Sequence, residues 1–177
     1  MIRKFLTSLI IFIGLTTLVN AECNFRIADF GGSKESVKFS EDEPSPLIIP
    51  DQFGGENIII PLESLCQEQK ELFGTSVIFL FIENKLERIQ LFRANMQDRN
   101  LMEFSRKRYG EFELPGNTSK FKWRGNHFWE NKNSSIEYIM TDIHDGHAEI
   151  LDITNLKNVE SINNYNEKVG KWLDSQN

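Results

Sequence analysis

One run, Gly74-Thr-Ser-Val-Ile-Phe-Leu-Phe-Ile-Glu-Asn-Lys-Leu-Glu-Arg-Ile-Gln-Leu-Phe-Arg93, constrains this chain more than any other. It reads as two β-strands folded back on each other near Asn84-Lys85. Pairing across that turn puts Ile78, Leu80, Ile82, Ile89 and Leu91 on one face, and Val77, Phe79, Phe81, Leu86 and Phe92 on the other. Both faces are apolar, so both need cover, and the hairpin belongs inside the domain. Lys resists positive φ, which makes Asn-Lys a poorer two-residue turn than Asn-Gly; a longer loop would shift the pairing.

The ends bound the rest. Residues 1–21 combine Arg3 and Lys4, an apolar run from Phe5 to Val19, and the small-residue end Val19-Asn20-Ala21. That is the pattern of a secretory signal, and the run is short against the roughly 20 residues of a spanning helix. Residues 22–177 then form a single domain. The chain carries a net charge of −6, or −8 once Arg3 and Lys4 are removed. The only two cysteines are Cys23 and Cys66. In an exported chain they read as one structural disulfide, stabilising by about 4 kcal/mol through loop closure. A redox pair is the rival, but the chain has no Cys-x-x-Cys.

Along the chain, Cys23–Phe30 alternates like a strand and Ser36–Phe39 like a shorter one. Ser40–Pro46 is an acidic, proline-broken loop. Pro61 to Gly74 has helix start and stop signals, with Leu62, Leu65, Cys66, Leu72 and Phe73 inward. A second helix, capped by Asn95 or Asp98, runs to Tyr109 before Gly110, with Leu101, Met102, Ser105 and Tyr109 inward. Lys120–Glu130 reads as strand, Gly125-Asn126 turn and strand. Ile136–His144 and His147–Asn155 form a hairpin about Asp145-Gly146. Asn158–Leu173 is a last helix, with Val159, Ile162, Val169, Trp172 and Leu173 on one side. The expected fold is α+β: an antiparallel sheet of five to seven hairpin-built strands with two or three helices packed on it.

Familiar catalytic strings are missing: there is no Gly-x-Ser-x-Gly, no His-Glu-x-x-His and no phosphate loop. Two constellations remain. If Asp145-Gly146 is the turn, His144 opposes His147 and Asp142 opposes Glu149 on one face. Two imidazoles and two carboxylates suit zinc or another first-row divalent metal, or a pH sensor; a wet hairpin tip is the plain alternative.

The second is a basic island. From Arg88 to Arg124 nine Lys or Arg stand against four Asp or Glu. Arg106, Lys107 and Arg108 share a helix; Lys120, Lys122 and Arg124 alternate with Phe121 and Trp123. Such alternation can bind single-stranded nucleic acid, but an exported acidic protein has little occasion to meet it. An anionic envelope component or an exported protein suits the island better, and a solvated face is again the plain alternative.

The sequence therefore describes an exported, periplasmic or extracellular, binding or accessory protein without catalysis or a resident cofactor. It would contact its partner through Arg106, Lys107, Arg108, Lys120, Lys122, Trp123 and Arg124. The alternative is a metal-binding protein or metal-dependent hydrolase built on Asp142, His144, His147 and Glu149.

Overall fold

The computed structural model describes residues 25, 28–37, 45–116 and 118–176. The expected secretory signal, Cys23 and most of the first expected strand lie outside the described residues. Ser36 closes a 3-10 turn, Lys34–Ser36, so the second expected strand does not begin there.

Seven strands form one antiparallel sheet in the order β1-β2-β3-β4-β7-β6-β5. They are β1 (Leu47–Pro50), β2 (Gly55–Pro61), β3 (Ser76–Ile82), β4 (Lys85–Ala94), β5 (Gly125–Glu130), β6 (Ser134–Ile143) and β7 (Gly146–Asn155). The helices are α1 (Leu62–Leu65), α2 (Asn100–Tyr109) and α3 (Val159–Asp174). The expected α+β class holds. Two meanders, β1–β4 and β5–β7, meet along a seam where β4 pairs with β7.

The opening hairpin forms with a corrected turn. Glu83 and Asn84 both have positive φ, so they are the two central residues and Ile82 faces Lys85. The register then slips between Leu80 and Phe81, where β4 spends Glu87 as an extra residue. Val77 faces Leu91, Phe79 faces Ile89 and Phe81 faces Leu86. Ile89 and Leu91 therefore share a face with the phenylalanines, not with Ile78 and Leu80. Glu87 is buried, and its carboxylate accepts from Asn155 Nδ2 at 2.7 Å and from Asn158 Nδ2.

The expected Pro61–Gly74 helix shrinks to α1 and a 3-10 turn at Lys70–Leu72. Between them Gln67 and Glu68 are exposed, and nothing apolar rewards further winding. Cys66 is buried and no described cysteine is free. In α2, Asp98 Oδ1 accepts from Asn100 N at 3.0 Å and Gly110 ends the helix at φ +122°, as the sequence signals indicate.

The two faces of the sheet are covered unequally. One carries the main core: Val77, Phe79, Ile89, Leu91, Tyr138 and Leu151 pack under Phe25, Leu62, Leu101, Met102, Phe112 and Trp123. On the other face, among the described residues, α3 covers one end only, where Ile162 and Tyr165 pack on Leu80 and Ile82. Tyr165 donates to Asp51 Oδ2 at 2.6 Å, tying α3 to the β1–β2 turn. Of the residues expected on the inner side of α3, Ile162 is buried and Val169 half-buried, whereas Val159, Trp172 and Leu173 stay exposed.

Burial works to raise the Asp51 pKa, but the Tyr165 hydroxyl and the amides of Gly55 and Phe53 outweigh it and hold it below its ordinary value of 3.8. A depressed carboxylate contributes stability that is present above its ordinary pKa and lost as pH falls through the lower folded value. Tyr165→Phe is expected to cost about 1 kcal/mol at pH 7. That cost should shrink as pH falls below the ordinary value, measured by urea denaturation of both proteins at each pH.

Candidate functional site

The tip of the β6–β7 hairpin is assembled differently from the sequence expectation. Ile143 faces Gly146, Asp142 faces His147 and Met140 faces Glu149, so His144 and Asp145 form the turn. Gly146 serves another purpose. At φ +138° it admits the Asn95 side chain, whose Oδ1 would lie 1.9 Å from a Cβ and accepts from His147 N at 3.0 Å. With the turn one residue early and the pairing shifted by two, His144 leaves the ladder and Asp142 no longer opposes Glu149. His144 is 98% exposed and lies 3.7 Å from Asp145. Asp142 accepts from Arg124 Nε at 2.6 Å. Nε2 of His147 lies 2.9 Å from the Met96 carbonyl and 3.1 Å from Arg99 Nη1. Among the described residues no group of three or more His, Cys, Asp or Glu could hold a metal ion.

Glu149 is 1% exposed and anchors a buried polar network. Its Oε1 accepts from Tyr138 Oη at 2.8 Å and from Met102 N at 3.0 Å; the latter is one of the amides that open α2. Oε2 lies 3.8 Å from Arg93 Nη1, which also donates to Asp98 Oδ1 at 2.6 Å. Arg99 donates to the carbonyls of Met96, Asp98 and Phe121. Burial raises the Glu149 pKa, against the opposing pull of Tyr138, the Met102 amide and the two arginines. Burial and the neighbouring Glu149 carboxylate together raise the Tyr138 phenol. The network joins β4, β6, β7 and α2, and its business is holding them together. Its two Arg side chains and Glu149 each keep one polar atom without a hydrogen bond among the described residues, Arg93 Nε, Arg99 Nε and Glu149 Oε2.

The basic island is largely consumed internally. The stretch 120–124 is a turn and not a strand: Lys122 N and Trp123 N both donate to the Ser119 carbonyl. Gly125-Asn126 opens β5 and is not a turn. Trp123 is buried, its ring stacked on Tyr138 with centroids 6.0 Å apart. Arg106 pairs with Glu111 at 2.5 Å, Lys120 with Glu103 at 2.9 Å and Arg124 with Asp142. Arg108 lies over the rings of Phe25, Phe104 and Tyr109. Lys107 and Lys122 make no ion pair among the described residues.

What the sequence reading missed lies on the sparsely covered face. The register puts Leu47, Ile59 and Ile78 in one cross-strand row, and Phe92, Ile150 and Ile139 in the next. Together they form a stripe with one apolar side chain on each of six strands, clear of the α3 end. Leu47 is 58% exposed and its face-mate Ile49 43%; the other five stripe residues are half-buried. Gln90 and Asp152 border the stripe, joined by a 3.1 Å hydrogen bond, and Arg88 lies 3.9 Å from Asp152. The signal was present in Leu47-Ile-Ile49 and Ile58-Ile-Ile60, whose unbroken apolar character demands two covered faces.

Compared with protein-family models, curated proteins and solved structures, the chain matches none.

Two substitutions separate the roles at this hairpin. His144→Ala should change stability by less than about 0.5 kcal/mol, whereas Glu149→Ala, which leaves the buried Tyr138 hydroxyl and Met102 amide without their acceptor, should cost about 2–5 kcal/mol. Urea denaturation at neutral pH measures both.

Proposed function

We propose that this is an exported, non-catalytic binding protein that meets a protein partner through the bare half of its sheet. The observation that carries the reading is the six-strand apolar stripe. An apolar stripe across six strands, rimmed by polar residues on a face that the described residues leave largely uncovered, is the kind of surface at which partners dock. The basic island supports an anionic partner less well, because Arg106, Lys120 and Arg124 already have acidic partners and Trp123 is core. Export and a Cys23–Cys66 bridge belong to the same reading. They rest on the signal-like residues 1–21 and on the burial of Cys66, which is not a free thiol. No helix among the described residues is long and apolar enough to cross a membrane.

The test is a photo-crosslinking side chain placed in turn at positions 47 and 139 on the stripe and at position 107 on the basic helix, in the cells that make the protein. The expected result is a protein adduct from 47 and 139 and none from 107. Adducts from 107 alone would return the function to the basic surface.

A further inference from the structure

The bare half of the sheet has an identifiable occupant, and the reasoning rests on the binding role just given to that face. The chain's own described segments are committed elsewhere. Phe25 packs with Phe104 and under Arg108 on the opposite face. α3 is taken up by Leu80 and Ile82.

Addition of a strand at the β1 edge is also disfavoured. Asp51 N donates to the Gly55 carbonyl, and the ladder continues through Ile49 with Asn57 and Leu47 with Ile59. In an antiparallel pair the alternate residues direct their backbone groups outward. Those residues are Ile48 and Pro50, with Pro46 just before the strand. Two of these three positions lack an N–H, a common device for blocking edge pairing. The face is open to a partner, whereas the edge is guarded.

The face also suits a copy of itself. The stripe is uncharged, and the charges along its border, Arg88 and Asp152, are already paired with each other. Glu137, beside Asp152 on the same face, accepts from Asn126 at 2.7 Å. Stacking two such faces about a two-fold axis would set apolar against apolar, with Glu137 and Glu130 at the β5–β6 margin as the carboxylates that the axis must keep apart. Six strands at about 4.8 Å spacing, with about 13–20 Å of uncovered length on each because β1 is short and α3 covers Leu80 and Ile82 of β3, give roughly 400–600 Å² per copy, so two faces bury about 800–1,200 Å², reaching up to the lower bound of a specific interface. α3 stands to one side in each copy and leaves room for sheets packed about 10 Å apart.

We infer that the partner is a second copy of this chain, the two sheets packing face to face over Leu47, Ile59, Ile78, Phe92, Ile139 and Ile150. Sedimentation equilibrium of the purified protein should show a dimer in the micromolar range. Leu47→Asp with Ile49→Asp, at exposed positions that leave folding intact, should weaken dimerisation at least tenfold. Ile139→Lys should abolish it, with circular dichroism confirming a folded chain. A dimer that both variants leave unchanged overturns the proposal. So does a monomer at every concentration, and the crosslinker at position 139 then separates two failures. Capture of a different protein removes the second copy but keeps the binding face. No capture at all removes both.

Discussion

The pairing of β4 with β7 holds this protein together. It joins segments some sixty residues apart in sequence, from Arg88 opposite Thr154 to Ala94 opposite Ala148. Without it the chain is two separate meanders. A buried carboxylate pins each end of the seam. At one end Glu149 stands opposite Arg93 and receives the Met102 amide, so the start of α2 is fixed to the ladder. At the other end Glu87 gathers Asn155 and Asn158, which set the exit of β7 and the entry to α3. Buried charges are costly unless fully compensated, so their value here is better read as specifying one register than as adding stability.

That seam also decides which face is left bare. After β4 the chain must reach β5 at the far edge of the sheet, and it does so along the face that receives α2, Phe112 and Trp123. The return from β7 places α3 on the opposite face, but only over the Leu80–Ile82 end. The uncovered half is thus a consequence of topology. What the sequence adds is apolar character where water would favour polar residues: Ile59, Ile78, Phe92, Ile139 and Ile150. Nothing in the stability of the described fold explains that choice; the partner proposed for this face would.

The sequence made the class of fold, the bounds of α2 and α3 and the existence of both central hairpins legible, because these depend on local periodicity and stop signals. Registers were not legible. Glu83 accepts positive φ in a turn where Asn-Lys was expected, and the Glu87 bulge then moves Ile89 and Leu91 to the other face. At the second hairpin Asp145-Gly146 looked like the turn. Gly146 was instead needed for the approach of Asn95, a contact made across strands that no local reading could foresee. The same limit undid the metal constellation: with the turn one residue earlier, His144 leaves the ladder for solvent and Glu149 stands opposite Met140 instead of Asp142. The basic island is less open than its charge suggests for a related reason. Charge counted along the chain does not reveal which acidic residues, such as Glu103, Glu111 and Asp142, fold back to meet it.

The account turns on one claim, that the two faces of this sheet differ in their access to water. Methyl-labelled isoleucine NMR with a soluble paramagnetic probe, on protein dilute enough to be monomeric, tests it directly. The methyls of Ile59, Ile78, Ile139 and Ile150 should broaden, while those of Ile60, Ile89, Ile136 and Ile153 on the core face should not. Equal protection of all eight in the monomer would mean that another part of the chain covers the stripe, and would contradict the account.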